Sequence, residues 1–353
     1  MTFKGIENST PFSTEMTLLC DDRGREVMVV YAKATFDITD ARTIKLAPEQ
    51  VPLNMAGEYL DEPGKSSMTC APECSFIKLG TDVALLGHAH APGGQEVCEL
   101  EVFFRVGPVS KRVHVFGDRH WHYQEHDGQA HWVMGETQGF TSMPLVYERA
   151  FGGFDDSAED EKDHEVSDYN PIGTGLIAKR TAYKDPVALP NLEHPDYLIG
   201  SVDDRPPPAN FGFIGPDWEP RRQLAGNYDA EWEKTRSPLL PLDFNHWFFN
   251  AAHPDLRVSG YLRGNETIEV INASALGALN LELPGYKPMV TLDLLGRRRM
   301  KLECMMDSLT VNTDTNNVQV LWRAELDVSK LLNHMETVKI SLAKLKTDKN
   351  LAA

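Results

Sequence analysis

Residues 27–36 have the sequence VMVVYAKATF, in which nearly every residue is β-branched, aromatic or otherwise apolar. Such a run favours an extended strand, and Asp21, Asp22 and Gly24 supply a turn before it. Similar runs occupy residues 83–89, 97–106 and 109–116, with Pro92-Gly93-Gly94 as a hairpin-like break. Short strands separated by Gly and Pro are typical of sandwiches and barrels, not of βαβ units. The sequence therefore predicts a mainly β fold with β-sandwich-like sheets, long loops and a few short helices.

The chain changes character along its length. Residues 1–150 and 256–345 are rich in strand-forming runs, whereas residues 151–255 are rich in Gly, Pro, Asp and Asn. We expect one domain over residues 1–345, with a loop-rich middle part and a flexible tail at residues 346–353. Short helices are predicted near residues 229–235 and 244–252. Residues 308–312 and 318–325 are predicted to form a hairpin around Asp314-Thr315-Asn316-Asn317.

Charge and cysteine content limit the partners and the compartment. The 353 residues carry 52 acids against 35 bases, a formal net charge of −17. This surface repels nucleic acids and anionic membranes and favours basic partners. Five cysteines, an odd number at low density, argue against a disulfide framework. With no apolar leader at the first residues and no apolar run of spanning length, we expect a cytoplasmic protein with no membrane or nucleic-acid partner.

Motifs of known catalytic chemistry are absent or incomplete. The sequence has no G-x-S-x-G nucleophile elbow and no H-E-x-x-H zinc motif. Gly64-Lys65-Ser66 imitates the end of a phosphate-binding loop, but Tyr59 stands where that loop needs glycine. Asn312, Asp314 and Asn316 imitate a calcium loop, but Arg323 replaces its bidentate glutamate. We therefore predict no enzymatic activity and no cofactor.

A histidine cluster provides the alternative, a metal-dependent hydrolase. It comprises His114, His120, His122, His126 and His131. His120 and His122, two residues apart on a strand, could share one face and hold zinc beside Asp118 and Glu125. No definite third ligand can be assigned. The competing interpretation is a set of surface histidines next to Trp121, Tyr123 and Trp132.

Tryptophan, tyrosine and arginine recur in segments that also place Gly and Pro specifically. These three residue types dominate protein-binding hot spots, although they also build buried polar networks in loop-rich folds. The candidate partner-binding residues are Tyr147, Arg149, Trp218, Arg222, Tyr228, Asp229, Trp232 and Arg236.

The order of these segments carries a family resemblance. The motifs are GDRHW (117–121), MPLVYERAFGG (143–153), NPIG (170–173), LPNLE (189–193), W-x-x-R-x-x-x-AGNYD (218–229), W-x-x-x-R-x-P-x-x-P-x-D-F (232–244), then Gly264-Asn265-Glu266, Leu283-Pro284 and Trp322-Arg323. Over residues 30–323 the chain resembles a bacterial domain-of-unknown-function family found beside type VI secretion effectors. It departs from the family pattern at residues 70–80 and at Asn227.

The resemblance implies a role. It implies an adaptor, or chaperone, that binds a cognate type VI effector and helps load it onto the spike protein VgrG or its PAAR-type tip protein. It implies affinity without turnover and retention of the adaptor in the cell. A further alternative is a structural component that travels with the spike.

Overall fold

The apolar run at residues 27–36 lies inside the longest strand of a computed structural model that describes residues 3–126, 129–178 and 186–343. The strands of these ranges, in chain order, are β1 (Ile6–Asn8), β2 (Ser13–Cys20), β3 (Glu26–Asp40), β4 (Thr43–Leu46), β5 (Glu58–Tyr59), β6 (Met68–Cys70), β7 (Asp82–Leu86), β8 (His88–His90), β9 (Glu99–Val106), β10 (Val109–Phe116), β11 (His120–His126), β12 (Gln129–Met134), β13 (Ser142–Pro144), β14 (Phe151–Gly152), β15 (Phe154–Asp155), β16 (Glu165–Val166), β17 (Thr174–Gly175), β18 (Val187–Ala188), β19 (Leu192–Glu193), β20 (Thr267–Ile271), β21 (Leu279–Glu282), β22 (Pro288–Leu294), β23 (Arg298–Glu303), β24 (Met305–Asn312), β25 (Asn317–Asp327) and β26 (Met335–Leu342).

Helical structure in the described ranges is short. The α-helix α1 spans Ala230–Thr235. Turns of 3₁₀ helix occupy Pro92–Gly94, Tyr147–Arg149, Glu161–Asp163, Arg222–Ala225, His246–Phe249, Pro254–Leu256 and Leu332–His334. None of these helices is long and apolar enough to cross a membrane. The prediction of a mainly β chain with a few short helices is confirmed.

The largest sheet is built around β3. Its strand order is β2-β3-β25-β24-β7, with β4 paired to the far end of β3. All pairs are antiparallel except β24 with β7, which run parallel. Because side chains alternate across a strand, β3 turns Met28, Val30, Ala32, Ala34 and Phe36 to one face and Tyr31, Lys33 and Thr35 to the other. We call these the apolar face and the polar face.

The apolar face closes a sandwich with two further sheets. One has the order β1-β26-β22-β23 and the other the order β19-β10-β9-β20-β21. Buried residues of all three sheets form one hydrophobic cluster, which includes Val30, Val102, Leu192, Ile268 and Val338. The cluster therefore draws on residues from the β-rich first part, the loop-rich middle part and the β-rich last part.

Local predictions had mixed outcomes. The hairpin is confirmed as β24 and β25, and the helix near residues 229–235 is confirmed as α1. The run at residues 83–89 is not one strand. It breaks at Gly87, whose φ is +138° and where an added Cβ would lie 2.2 Å from the Thr313 hydroxyl oxygen. The strands on either side of Pro92-Gly93-Gly94 pair with β13 and with β10 and β20, so they do not form a hairpin. Residues 346–353 lie outside the described ranges.

Candidate partner-binding surface

Two of the eight candidate contact residues are buried. Tyr147 is 2% exposed and Trp218 is 4% exposed. Their rings meet edge to face at 5.3 Å between centroids inside the hydrophobic cluster. Burial raises the pKa of the Tyr147 hydroxyl far above its usual value. These two residues therefore belong to the core, and the predicted contact role is corrected for them.

Arg149 joins three of the sequence motifs. Its guanidinium donates to the Asp118 carboxylate at 3.1 Å and to the Asn191 amide oxygen at 3.0 Å. The neighbouring Glu148 accepts from the backbone N–H and the hydroxyl of Ser67, at 2.8 and 2.5 Å. Arg149 is half exposed, but its Nη1 already donates to both Asp118 and Asn191. Arg149 and Glu148 therefore mainly connect segments of the fold.

Arg222 lies at the surface beside an exposed apolar ribbon. It pairs with Asp168 at 3.0 Å and with Glu219 at 3.2 Å. The ribbon is the β15–β16 pair, in which Phe154 and Val166 are opposite each other and both exposed. Arg222 is therefore available to a partner only in competition with two local carboxylates.

The remaining four candidates lie together on and around α1. Asp229 caps the helix by accepting from the Trp232 backbone N–H at 2.8 Å, as expected for an N-cap aspartate. Tyr228, which is 53% exposed, meets the Trp232 ring edge to face at 4.7 Å. We call Tyr228, Asp229, Trp232 and Arg236 the α1 surface.

Hydrogen bonds to backbone carbonyls of neighbouring segments fix the position of the α1 surface. The Trp232 indole N–H donates to the Leu239 carbonyl at 2.8 Å. Arg236 donates to the carbonyls of Asp22 at 2.7 Å and Leu240 at 2.8 Å. Because a six-residue helix is not stable by itself, these contacts are what fix its orientation. The outcome is a preformed aromatic surface, of the kind that loses little freedom on binding.

The polar face of the large sheet carries three buried ion pairs that sequence reasoning missed. Lys33 pairs with Glu73 at 2.8 Å, Lys78 pairs with Asp82 at 2.8 Å, and Arg323 pairs with Asp307. Burial alone would raise the pKa of Asp82, but Lys78 and the Asn250 amide lower it below its usual value. The sequence signals were the polar alternation of Lys33 with its apolar neighbours and the four-residue spacing of Lys78 and Asp82. Glu73 and Asp307 lie 40 and 16 residues from their partners.

A cavity of about 340 Å³ lies over the polar face. Its lining includes Lys33, Glu73, Asn210, Gly212 and Gln319. Asn210 is fully buried, and its amide oxygen accepts hydrogen bonds from the backbone N–H groups of Phe211 and Gly212. Its amide nitrogen has no hydrogen-bond partner among the residues that the structure describes. The sheet contributes polar residues to this lining, and many of the other lining residues lie between positions 51 and 73.

Among its described side chains, the histidine cluster does not converge. His120 and His122 lie on β11 with ring centroids 6.5 Å apart. Asp118, the proposed acid beside them, is engaged with Arg149. The side chain of Glu125 lies outside the described residues, and among the side chains that are described no three His, Cys, Asp or Glu residues form a group that could hold a metal ion. The metal-site hypothesis therefore stays a prediction without support from this geometry.

Comparison with known proteins identifies a family. Residues 23–323 match the family described as "Uncharacterized protein conserved in bacteria (DUF2169)". No curated protein and no solved structure matches the chain. The match includes every residue of the α1 surface and all three buried ion pairs.

Proposed function

The chain belongs to the DUF2169 family of bacterial proteins, and on that premise we propose that it is an adaptor that binds a type VI secretion effector. It would present that effector to the spike protein VgrG or to a PAAR-type tip protein. Two observations support the proposal besides the motif order described above. They are the preformed α1 surface and the acidic character of the chain.

The α1 surface is the observation that carries the proposal. Tyr, Trp and Arg are the residues most enriched at binding hot spots, and here Trp232 on α1 comes together with Tyr228, just before the helix, and Arg236, its C-cap residue. Tyr228 leaves half of its surface to solvent while its ring rests against Trp232. An exposed aromatic side chain held by an ordered neighbour is suited to fill a pocket on a partner.

The net charge of −17 supports a basic partner. Complementary charge accelerates encounter, and this acceleration decreases as salt screens it. A toxic effector that acts on nucleic acid or on anionic membranes would offer the basic surface that this chain attracts. An adaptor of this kind needs no catalytic group, because holding the effector is its whole activity.

The test is co-purification with the products of adjacent genes. Affinity-tagged chain is expected to retain the neighbouring toxin, VgrG or PAAR-type protein, and Tyr228→Ala is expected to reduce that retention. Tyr197→Ala is the matched control, because Tyr197 is 59% exposed and also rests against an aromatic ring, that of His194. Retention of none of these proteins by the wild-type chain would refute the proposal. Recovery of the chain in secreted fractions would instead favour a structural spike component.

A further inference from the structure

The strand β2 has one unused side. It is the outermost strand of the large sheet and pairs with β3 along all eight of its residues, Ser13–Cys20. On its other side, no backbone hydrogen bond joins it to any residue in the ranges 3–126, 129–178 and 186–343. In an antiparallel strand every second residue directs its N–H and C=O away from the paired neighbour. About half of the β2 backbone is therefore free to pair with another strand.

Apart from the single charge of Glu15, this edge lacks the protection that natural sheet edges carry. Lysine, proline and bulges usually block edge-to-edge pairing, and β2 contains no Lys or Pro and no shift of register. Other edges differ. The outer strand β23 carries Arg298, Arg299 and Lys301, and β7 is joined on its outer side to Arg257 and Phe211.

Side chains along β2 indicate what would lie beside it. Leu18 is 49% exposed, although Met28 directly opposite it on β3 is fully buried. The row that Leu18 shares with Met16 therefore continues the apolar face of the sheet but lacks an outer neighbour. A strand that supplies apolar residues at alternate positions would complete this row.

Side chains on the other face of β2 indicate the charge expected of an added strand. Glu15 is the single charged residue of β2, it is exposed, and it forms no ion pair with any residue of the described ranges. Opposite charges across neighbouring strands are stabilising, whereas like charges are not. A strand added to β2 is therefore expected to place Lys or Arg opposite Glu15.

The free edge is continuous with the α1 surface. Arg236 donates to the Asp22 carbonyl at 2.7 Å, and Asp22 lies in the turn that follows β2. In the same turn, a Cβ at Gly24 would lie 3.9 Å from Leu239. A chain that runs beside β2 to its Cys20 end would therefore reach the α1 surface.

We propose that β2 accepts an extended segment of the partner as an additional strand, with apolar residues at alternate positions and a basic residue opposite Glu15. This inference rests on the proposed function, since it specifies how the effector is held. Backbone pairing would supply affinity, and the alternating side chains would supply selectivity.

Synthetic peptides that span the toxin encoded next to this chain test the proposal. At least one is expected to bind the wild-type chain and to slow hydrogen exchange at the backbone amides of residues 14–19. Leu18→Lys should weaken binding of that peptide about tenfold, because one half-buried leucine contact is lost. Glu15→Lys should weaken its binding about threefold. Leu198→Lys is the control, because the exposure of Leu198, 47%, is similar to that of Leu18. This variant should bind the peptide as tightly as the wild-type chain does.

The outcomes separate the two proposals. If the intact toxin binds all four chains equally and the β2 amides exchange unchanged, the strand proposal is overturned while the adaptor function stands. If the toxin does not bind the wild-type chain, both are overturned. If the chain alone forms a dimer that Leu18→Lys dissociates, a second copy occupies β2 and the strand proposal is also overturned. Should Leu18→Lys unfold the chain, Leu18→Thr replaces it in the same comparison.

Discussion

Gly152 lies so close to Asn170 that a Cβ at Gly152 would be 2.2 Å from the Asn170 carbonyl oxygen. The fully buried Asn170 side chain in turn donates to the carbonyls of Tyr147 at 2.8 Å and Phe151 at 3.1 Å. Two motifs that are separate in the sequence therefore form one structural unit.

Gly152→Ala is expected to destabilise the chain by about 2–4 kcal/mol, because the new methyl group meets backbone and the φ of +148° is strained for alanine. Urea unfolding followed by tryptophan fluorescence measures this. Gly200→Ala is the control, since its Cβ would have only one neighbour, at 4.0 Å, and it should change stability by less than about 0.5 kcal/mol. Equal stability of the two variants would contradict the close contact.

Arg323→Leu is expected to lower the free energy of unfolding by about 3–5 kcal/mol, because it leaves Asp307 buried without its counter-charge. Arg299→Leu removes a partly exposed pair with Asp293, which keeps its second partner Lys339, and should lower the free energy of unfolding by less than about 1 kcal/mol. Thermal unfolding of both variants beside wild type makes the comparison. A small effect at Arg323 would mean that the polar face tolerates an uncompensated carboxylate.

The stability of the chain should decrease as the pH falls from 6.5 to 5, partly through His253. Burial and the neighbouring Lys111 lower the pKa of His253 to about 3. Well above pH 6.5, the ordinary pKa of histidine, the side chain is neutral in both states and its contribution is complete. Below that pH the unfolded chain binds a proton that the folded chain does not, so the free energy of unfolding falls.

His253→Asn isolates this effect, because asparagine can still cap the following 3₁₀ helix. Between pH 6.5 and 5 the wild-type chain is expected to lose about 1–2 kcal/mol more than the variant. Urea unfolding at several pH values provides the measurement. Parallel pH profiles for the two chains would show that His253 titrates normally in the fold.

Tyr228→Ala is expected to weaken partner binding at least tenfold, or about 1.4 kcal/mol, while the unfolding midpoint changes little because the ring is exposed. Trp218→Ala should do the reverse and destabilise the fold by about 3–5 kcal/mol. Calorimetric titration with the co-purified partner and urea unfolding distinguish the two. If Tyr228→Ala instead lowered the stability of the chain, Tyr228 would act mainly in maintaining the fold.

The sequence predicted what depends on near neighbours. The strand at residues 27–36, the hairpin of β24 and β25 and the capped helix α1 all follow from local pattern. The chain around Gly87 was predicted wrongly as one strand, because the reason for the break is a contact with Thr313, far along the sequence.

For the candidate site, too, the sequence identified residue types but not their tertiary surroundings. Tyr147 and Tyr228 are the same residue type, each within one of the sequence motifs, but tertiary packing buries the first and exposes the second. Most of the ionic network could not be predicted because its contacts join residues that are distant in the sequence, as in the hydrogen bond from Lys78 to Ser308, 230 residues away; only Lys78 and Asp82 are close, four residues apart. The unprotected edge of β2 likewise became visible only when its pairing partner was known.

Asn250 has one further consequence. Its amide donates to the Gly80 carbonyl and to the Asp82 carboxylate, both at 2.9 Å, so the loop-rich middle part is attached to the outer strand of the large sheet. A chimera that takes residues 151–255 from one relative and the remainder from another would have to inherit compatible residues on both sides of this junction. Exchange of specificity between relatives is therefore expected to succeed by grafting short surface segments, and to fail by swapping whole thirds of the chain.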